Sequence, residues 1–346
     1  MSTARHHIII GSGVAGNQAA ETLREHDPES RITMITVSRL PFFNRYDLPR
    51  VFRGERDWRR FIIYPAQYYR HNRIALRRAS RVVSVDSLNQ TLTLQHKETI
   101  HFDTLLVASG ARAYLPEELS EYRSLLDGFG AYREAVKVAE ALPPKGHAVM
   151  LGGDTIGLDL ARTLIELDFR VTLVADRFTF WPHEVAEADR PRFIEALRNM
   201  GIEVIEAKER GNIASISAGS SGMPARRIVF KDGSELYGDV AMAFFGTTPN
   251  LDFMVSSGVD IERGLLVKPN LRTTNDNIYA AGDNCQIWNT GENRYCFYHG
   301  WMNVRAMGDL AARNITGADE VWAPLHTERL SLTDDGKIQS PFWEYE

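Results

Sequence analysis

Two stretches of this chain carry glycines at the spacing that lets a backbone approach a phosphate. Gly11-Ser12-Gly13-Val14-Ala15-Gly16 follows the apolar run Ile8-Ile9-Ile10 and precedes Ala19, Ala20 and Leu23 at helical spacing. In such a strand, turn and helix, the first glycine permits the tight turn, the second admits a pyrophosphate, and the third lets the helix pack closely on the strand. The helix N-terminus then stabilises the phosphate charge. Gly11, Gly13 and Gly16 are therefore expected to hold a dinucleotide. Gly152-Gly153-Asp154-Thr155-Ile156-Gly157 has the same setting, after Ala148 to Leu151 and before Leu160, Ala161 and Leu164. Here Asp154 replaces the middle glycine, which is expected to put a side chain and a negative charge where a pyrophosphate should approach. Gly152 and Gly157 thus carry a weakened dinucleotide assignment, and a vestigial nucleotide fold kept for architecture stays open as the alternative.

An acid at the end of the strand after such a turn pairs with the adenosine ribose hydroxyls. The first stretch has Thr36-Val37-Ser38-Arg39 at that place and lacks the acid, whereas the second has Asp176 followed by Arg177. Asp176 leans toward NADH, and Arg177 keeps NADPH open.

The elements that position these residues repeat. Strand, glycine turn, small-residue helix and second strand recur at Ile8 to Val37 and at Ala148 to Val174. The fold class is α/β, with two Rossmann-like dinucleotide-binding domains, the second inserted in the first. Short strands are expected at Arg81 to Asp86, Thr91 to Gln95 and Thr104 to Ser109, and Pro143-Pro144-Lys145-Gly146 punctuates entry to the second unit. The Ser- and Gly-rich stretch Ala214 to Gly222 reads as a hairpin or loop. After Gly246-Thr247-Thr248-Pro249-Asn250, a strand at Asn277 to Ala281 meets Gly282-Asp283-Asn284, and a helix follows from about Asn303 to Ile315. This places a discontinuous first domain at 1–115 and 250–330, the inserted domain at 116–249 and a tail at 331–346.

Taken together, Gly11 to Gly16, Pro41-Phe42-Phe43-Asn44-Arg45-Tyr46-Asp47-Leu48-Pro49, Ala108-Ser109-Gly110-Ala111, Gly152 to Ala161 and Ala280-Ala281-Gly282-Asp283 are specific in order and spacing. The chain resembles, over nearly its whole length, the two-dinucleotide-domain flavoprotein reductases of the pyridine nucleotide-disulfide oxidoreductase superfamily. That group includes rubredoxin and ferredoxin reductases, the nitrite-reductase flavin subunit and apoptosis-inducing factor. The resemblance implies FAD on Gly11, Gly13 and Gly16, with Arg45, Val82, Ser109, Gly110 and Asp283 as further contacts, and NADH or NADPH at Gly152, Gly157 and Asp176. A Lys and a Glu that pair beside flavin and nicotinamide in the family correspond here to Arg50 and Asp159. Such a pair acts electrostatically, a fixed cation stabilising the reduced ring; an ordinary salt bridge is the alternative. The family's redox cysteines are missing, Tyr46 standing where some members carry one, so thiol relay chemistry is not expected. The family usually adds a C-terminal dimerisation domain, and this chain stops soon after the last helix. Its aromatic end, Pro341-Phe342-Trp343-Glu344-Tyr345, reads as a partner interface or as packing on the chain itself.

The function implied is electron passage between NAD(P)H and a ferredoxin- or rubredoxin-like carrier, or an iron-sulfur subunit, through FAD. The alternative is a non-catalytic flavin-binding or assembly subunit. The 346 residues suit about two domains, and 44% hydrophobic with 25% charged residues is ordinary globular composition. A net charge of −5 argues against a nucleic-acid binder over the whole chain. Against that background Arg50 to Arg81 holds ten arginines, no lysine and two acids, with Trp58, Phe61, Tyr64, Tyr68 and Tyr69 interleaved. It is read as a docking surface for an acidic electron carrier, with a solvated, internally paired face as the alternative and nucleic acid as the least favoured partner. Cys285 and Cys296 are too few for a disulfide framework or a self-contained metal site, and Cys285 reads as a buried thiol. No export signal or membrane span is visible, so the cytoplasm is the expected compartment.

Overall fold

The computed structural model describes residues 4–219, 225–325 and 330–340. Two compact units emerge. One comprises the described parts of Met1–Asn44, Arg59–Arg112 and Thr248–Thr327, the other those of Arg45–Trp58, Ala113–Thr247 and Glu328–Glu346.

The first unit is built on a five-stranded parallel sheet in the order Ile278–Ala280, Thr104–Val107, His6–Ile10, Arg31–Ile35, Ile74–Arg77. His6–Ile10 is buried along its whole length, as expected for a β-branched run covered on both faces. The helix Val14–His26 packs against the returning helix Trp301–Ile315. Gly308 makes that approach possible, because a Cβ there would lie 2.3 Å from the Ala15 carbonyl oxygen. The C-terminal helix therefore belongs to the core of the first unit, with Met307, Leu310, Ala311 and Ile315 buried beside Ile8, Ile9 and Leu23. Strands Val82–Asp86 and Thr91–Leu94 pair antiparallel near where the sequence places them.

The second unit repeats the plan with four parallel strands, Glu203–Glu206, Arg170–Ala175, His147–Gly152 and Val240–Phe244. The helix Thr155–Glu166 follows the second glycine turn. Ile213–Ala218 pairs antiparallel with Arg226–Phe230, which makes the Ser- and Gly-rich stretch part of a hairpin; residues 220–224 lie outside the described ones. The expected α/β class with two Rossmann-like units holds. Residues 45–58, read from sequence with the first domain, group with the second unit. The Phe52 ring packs against Phe129 at 6.0 Å, Arg53 pairs with Glu166 at 3.1 Å, and the Tyr132 hydroxyl donates to the Arg56 carbonyl.

Among the described residues no helix is long and apolar enough to cross a membrane, and no group of His, Cys, Asp and Glu could hold a metal. The aromatic end at 341–345 lies outside the described residues.

Candidate functional site

In the first unit, three neighbouring parallel strands end at Gly11, at Ala108-Ser109-Gly110 and at Ala281-Gly282-Asp283. Ligands of open α/β sheets bind in the crevice outside these carboxyl ends. The turn is held from behind: a Cβ on Gly11 would lie 2.0 Å from the Ala108 carbonyl oxygen, and one on Gly16 2.2 Å from that of Gly11. Gly13 is different. It is exposed, and a Cβ there would meet nothing within 4 Å. Gly13 is the N-cap of Val14–His26 and offers no side-chain cap, so the N–H groups of Gly13, Val14 and Ala15 have no acceptor among the described residues. Donors of a helix N-terminus, facing open space and flanked by two packing glycines, fit a pyrophosphate.

The other side of the crevice supplies Asp283. A Cβ on Gly282 would lie 3.5 Å from the Ala15 Cβ, so this turn sits against the start of the same helix. Asp283 is partly exposed, and its Oδ1 lies 3.2 Å from His299 Nδ1, a residue the sequence reading passed over. The neighbouring Asn284 is fully buried. Its Nδ2 donates to the Val107 carbonyl at 2.9 Å, while its Oδ1 has no hydrogen-bond partner among the described residues.

The second turn is satisfied from within. Gly153 and Asp154 N–H both donate to the Phe244 carbonyl, at 2.7 and 3.0 Å, and Thr155 N–H donates to that of Trp181 at 2.9 Å. The Asp154 carboxylate accepts from Gly157 N–H and Gly246 N–H, each at 2.9 Å. This corrects the expected direction of Asp154. Its side chain turns inward as the helix N-cap and is only 3% exposed, instead of projecting into the approach path. Burial pushes its carboxyl up to about 6 against the pull of these backbone donors. The donors that lie open in the first unit are here already paired, so the second turn does not fit a pyrophosphate in the manner of the first.

The sequence model for pyridine nucleotide-disulphide oxidoreductases matches residues 5–307. The chain belongs to this family. The family reading drawn from the motifs is borne out, and membership makes the protein an FAD-dependent NAD(P)H oxidoreductase by class, flavin and nicotinamide being the cofactors of that class. The chain is 27% identical over 332 residues to the anthranilate 1,2-dioxygenase system ferredoxin–NAD(+) reductase component of Burkholderia cepacia, covering 92% of this chain and 77% of that protein. It is 25% identical over 283 residues to subunit epsilon of the NADH-dependent phenylglyoxylate dehydrogenase of Aromatoleum evansii, covering 80% of this chain and 64% of that one. In fold it matches a chain of the covalent putidaredoxin reductase–putidaredoxin complex with a TM-score of 0.82 at 19% identity, over 96% of this chain and 80% of that one. The family model and the Burkholderia cepacia relative favour an electron-transferring enzyme over an assembly subunit.

The remaining family positions fall as follows. Ser109 Oγ donates to the Asn250 carbonyl at 2.8 Å and Gly110 O accepts from Asn250 N–H at 2.9 Å, so this turn is pinned by one asparagine. Val82 is buried and pairs with Leu94. Asp176 is partly buried, which pushes its carboxyl up, and its Oδ1 accepts from Phe178 N–H at 2.8 Å. Arg45 and Arg50 lie on the short helix Arg45–Val51, and Asp159 on Thr155–Glu166; all three belong to the second unit. Arg50 reaches Asp47 at 3.3 Å and Glu55 at 3.7 Å, and Asp159 accepts from Arg162 at 3.2 Å. Cys285 is buried, which pushes its thiol up and leaves it a packing residue.

The arginine-rich stretch is divided, residues 50–58 in the second unit and 59–81 in the first. Phe61 and Tyr69 are core residues, 2% and 1% exposed, which corrects their reading as interleaved surface aromatics. Arg77 is paired with Glu98 at 2.6 Å. Arg53, Arg56, Arg59, Arg60, Arg70, Arg73, Arg78 and Arg81 remain on the surface.

Proposed function

We propose that this chain passes electrons between NAD(P)H and a protein electron carrier, ferredoxin-like, rubredoxin-like or an iron-sulfur subunit, through FAD held by its first unit. The observation that carries the reading is the open first turn, with its unpaired Gly13, Val14 and Ala15 N–H groups opposite Asp283. Bound FAD supplies a centre that takes a hydride from a nicotinamide and releases electrons singly. The chain's own residues bind and orient it. Gly13, Val14 and Ala15 N–H would donate to the pyrophosphate, and Asp283, itself oriented by His299, would accept from the ribityl hydroxyls. Ser109-Gly110 and the Val82 backbone line the flavin and adenine sides. Arg45, Arg50 and Asp159 are assigned by family correspondence, on the second unit, where Arg50 is held by Asp47 and Glu55 and Asp159 accepts from Arg162. We assign the nicotinamide cofactor to the second unit, near Gly152, Gly157 and Asp176, with its pyrophosphate not seated on the turn amides as they are now paired.

The partner reading rests on charge. Eight exposed arginines in a net-acidic chain suit an acidic carrier. The cytoplasmic reading rests on the low cysteine content.

The test is an anaerobic titration of the purified protein with NADH while recording the flavin absorption band. Bleaching at near-stoichiometric NADH is expected. A bound flavin that dithionite bleaches and neither NADH nor NADPH touches would overturn the nicotinamide half of the reading.

A further inference from the structure

Asn17 stands one residue after the last glycine of the first turn, inside a helix, where asparagine is a poor choice on propensity alone. It is buried, 3% exposed, and every one of its polar groups is engaged. Its Nδ2 donates to the Ser12 carbonyl at 2.8 Å and to the Gly13 carbonyl at 2.9 Å. Its Oδ1 accepts from the Tyr69 hydroxyl at 2.6 Å. Tyr69 is 1% exposed. A buried chain of donors thus runs from the Tyr69 hydroxyl through Asn17 to two carbonyls of the glycine turn.

What the chain does follows from peptide geometry. In a planar trans peptide the C=O and the following N–H point in opposite directions. Holding the Ser12 carbonyl inward therefore turns the Gly13 N–H outward, and holding the Gly13 carbonyl inward does the same for Val14 N–H. These are two of the unpaired donors that face the open space in front of Gly13. Without the tether, glycine at 13 leaves the Ser12–Gly13 peptide plane free to rotate, which brings a carbonyl dipole toward an anion, while the Gly13 carbonyl keeps only its helical bond from the Asn17 backbone N–H at 3.0 Å.

We infer that Asn17 and Tyr69 are positioning residues for the FAD pyrophosphate: the Tyr69 hydroxyl fixes the Asn17 amide, and the amide fixes the Ser12 and Gly13 carbonyls so that the turn presents donors alone. This rests on the reading of the first turn as the FAD site. Neither residue touches the cofactor; both act through the backbone of the turn.

The experiment follows FAD release from the full-length holoprotein by the recovery of free-flavin fluorescence on dilution, together with the 31P resonances of the bound cofactor. Tyr69→Phe keeps the buried ring and removes only the hydroxyl, so it folds. It is expected to release FAD about fivefold faster, and Asn17→Ala about tenfold faster or more, the scale of one or two buried hydrogen bonds. The 31P resonances should move in both variants while the visible flavin band keeps its position, a separation that general loosening of the fold does not produce. Because Tyr69 acts through Asn17, the double variant should release FAD no faster than Asn17→Ala alone. Wild-type release and unchanged 31P resonances in both variants would overturn the inference, as would full additivity in the double variant. A wild-type protein that takes up no FAD at all would instead overturn the reading beneath it.

Discussion

His6 and His147 occupy the same position in the two units. Each opens the central strand of its parallel sheet. Each ring Nε2 lies against a threonine hydroxyl of the next strand, Thr33 at 2.9 Å and Thr172 at 2.7 Å. Each backbone N–H donates to an aspartate that leads into the strand on the other side, Asp103 at 2.6 Å and Asp239 at 2.7 Å. Those aspartates return the bond from their own N–H groups, to His6 O at 2.9 Å and His147 O at 2.8 Å. The internal repeat therefore extends beyond the glycine turns to the opposite end of both sheets, where no cofactor is expected.

These rings impose a pH dependence. Burial, and next the charge of Arg31 or Arg170, holds His6 and His147 below the usual histidine range, and burial does the same for His7. A histidine whose folded value is depressed leaves the unfolded chain binding more protons just below about 6.5, so stability is lost as the pH falls from there toward the folded values. The unfolding midpoint is expected to fall between about pH 7.5 and about pH 5.5, and His147→Gln, which removes one titrating ring, should flatten that slope. Parallel curves for variant and wild type would show that the ring does not titrate on unfolding.

The parallel sheets were legible because Ile8-Ile9-Ile10 and Ala148 to Leu151 are apolar runs feeding glycine turns, a local pattern. What the sequence hid was set across long separations. Asp154 at the middle-glycine position reads as a charge in the approach path. Its inward turn depends on the Gly246 N–H, 92 residues away. Tyr69 reads as one of several aromatics among arginines, and its buried hydroxyl finds its partner in Asn17, 52 residues earlier. The His6 and His147 pair depends on cross-strand register, which the glycine spacing does not specify. Residues 45–58 carry the family's Arg45 region, and what draws them to the second unit is Phe129 and Glu166, side chains with no signal in the local motif.

Asp154→Gly tests the self-satisfied second turn. The substitution frees Gly157 N–H and Gly246 N–H, and a glycine N-cap costs the helix only a few tenths of a kcal/mol. NADH affinity is expected to rise about tenfold, the gain from offering charge-assisted donors to a phosphate. Isothermal titration of both forms decides the matter. Unchanged or weaker binding by the variant would mean that Asp154 serves the fold alone.

If an acidic carrier docks on the exposed arginines, its reduction must depend on ionic strength. Steady-state reduction of an acidic ferredoxin should slow as salt rises, with KM increasing and kcat nearly constant, because rim charges act on encounter. Arg56→Glu should raise KM at low salt and weaken the salt dependence. Kinetics indifferent to salt would remove the arginine stretch from recognition.

The three glycines of the first turn should separate cleanly by substitution. Gly11→Ala places a Cβ 2.0 Å from the Ala108 carbonyl oxygen at a φ of +111°, and Gly16→Ala places one 2.2 Å from the Gly11 carbonyl oxygen. Both force backbone apart inside the sheet-to-helix packing, so both are expected to lower the thermal midpoint of the protein, by an amount corresponding to about 2 kcal/mol or more. The Cβ of Gly13→Val meets no protein atom within 4 Å, and the substitution should leave the fold intact. Its branched side chain stands in the space before the Gly13, Val14 and Ala15 N–H groups, where the pyrophosphate must come. The variant is therefore expected to purify folded and pale, with FAD affinity down about a hundredfold, the equivalent of roughly two lost charge-assisted hydrogen bonds. Circular dichroism and flavin content measured on the same three preparations give the answer. A Gly13→Val protein that keeps its full flavin would place the pyrophosphate elsewhere, and with it the chemistry assigned to this turn.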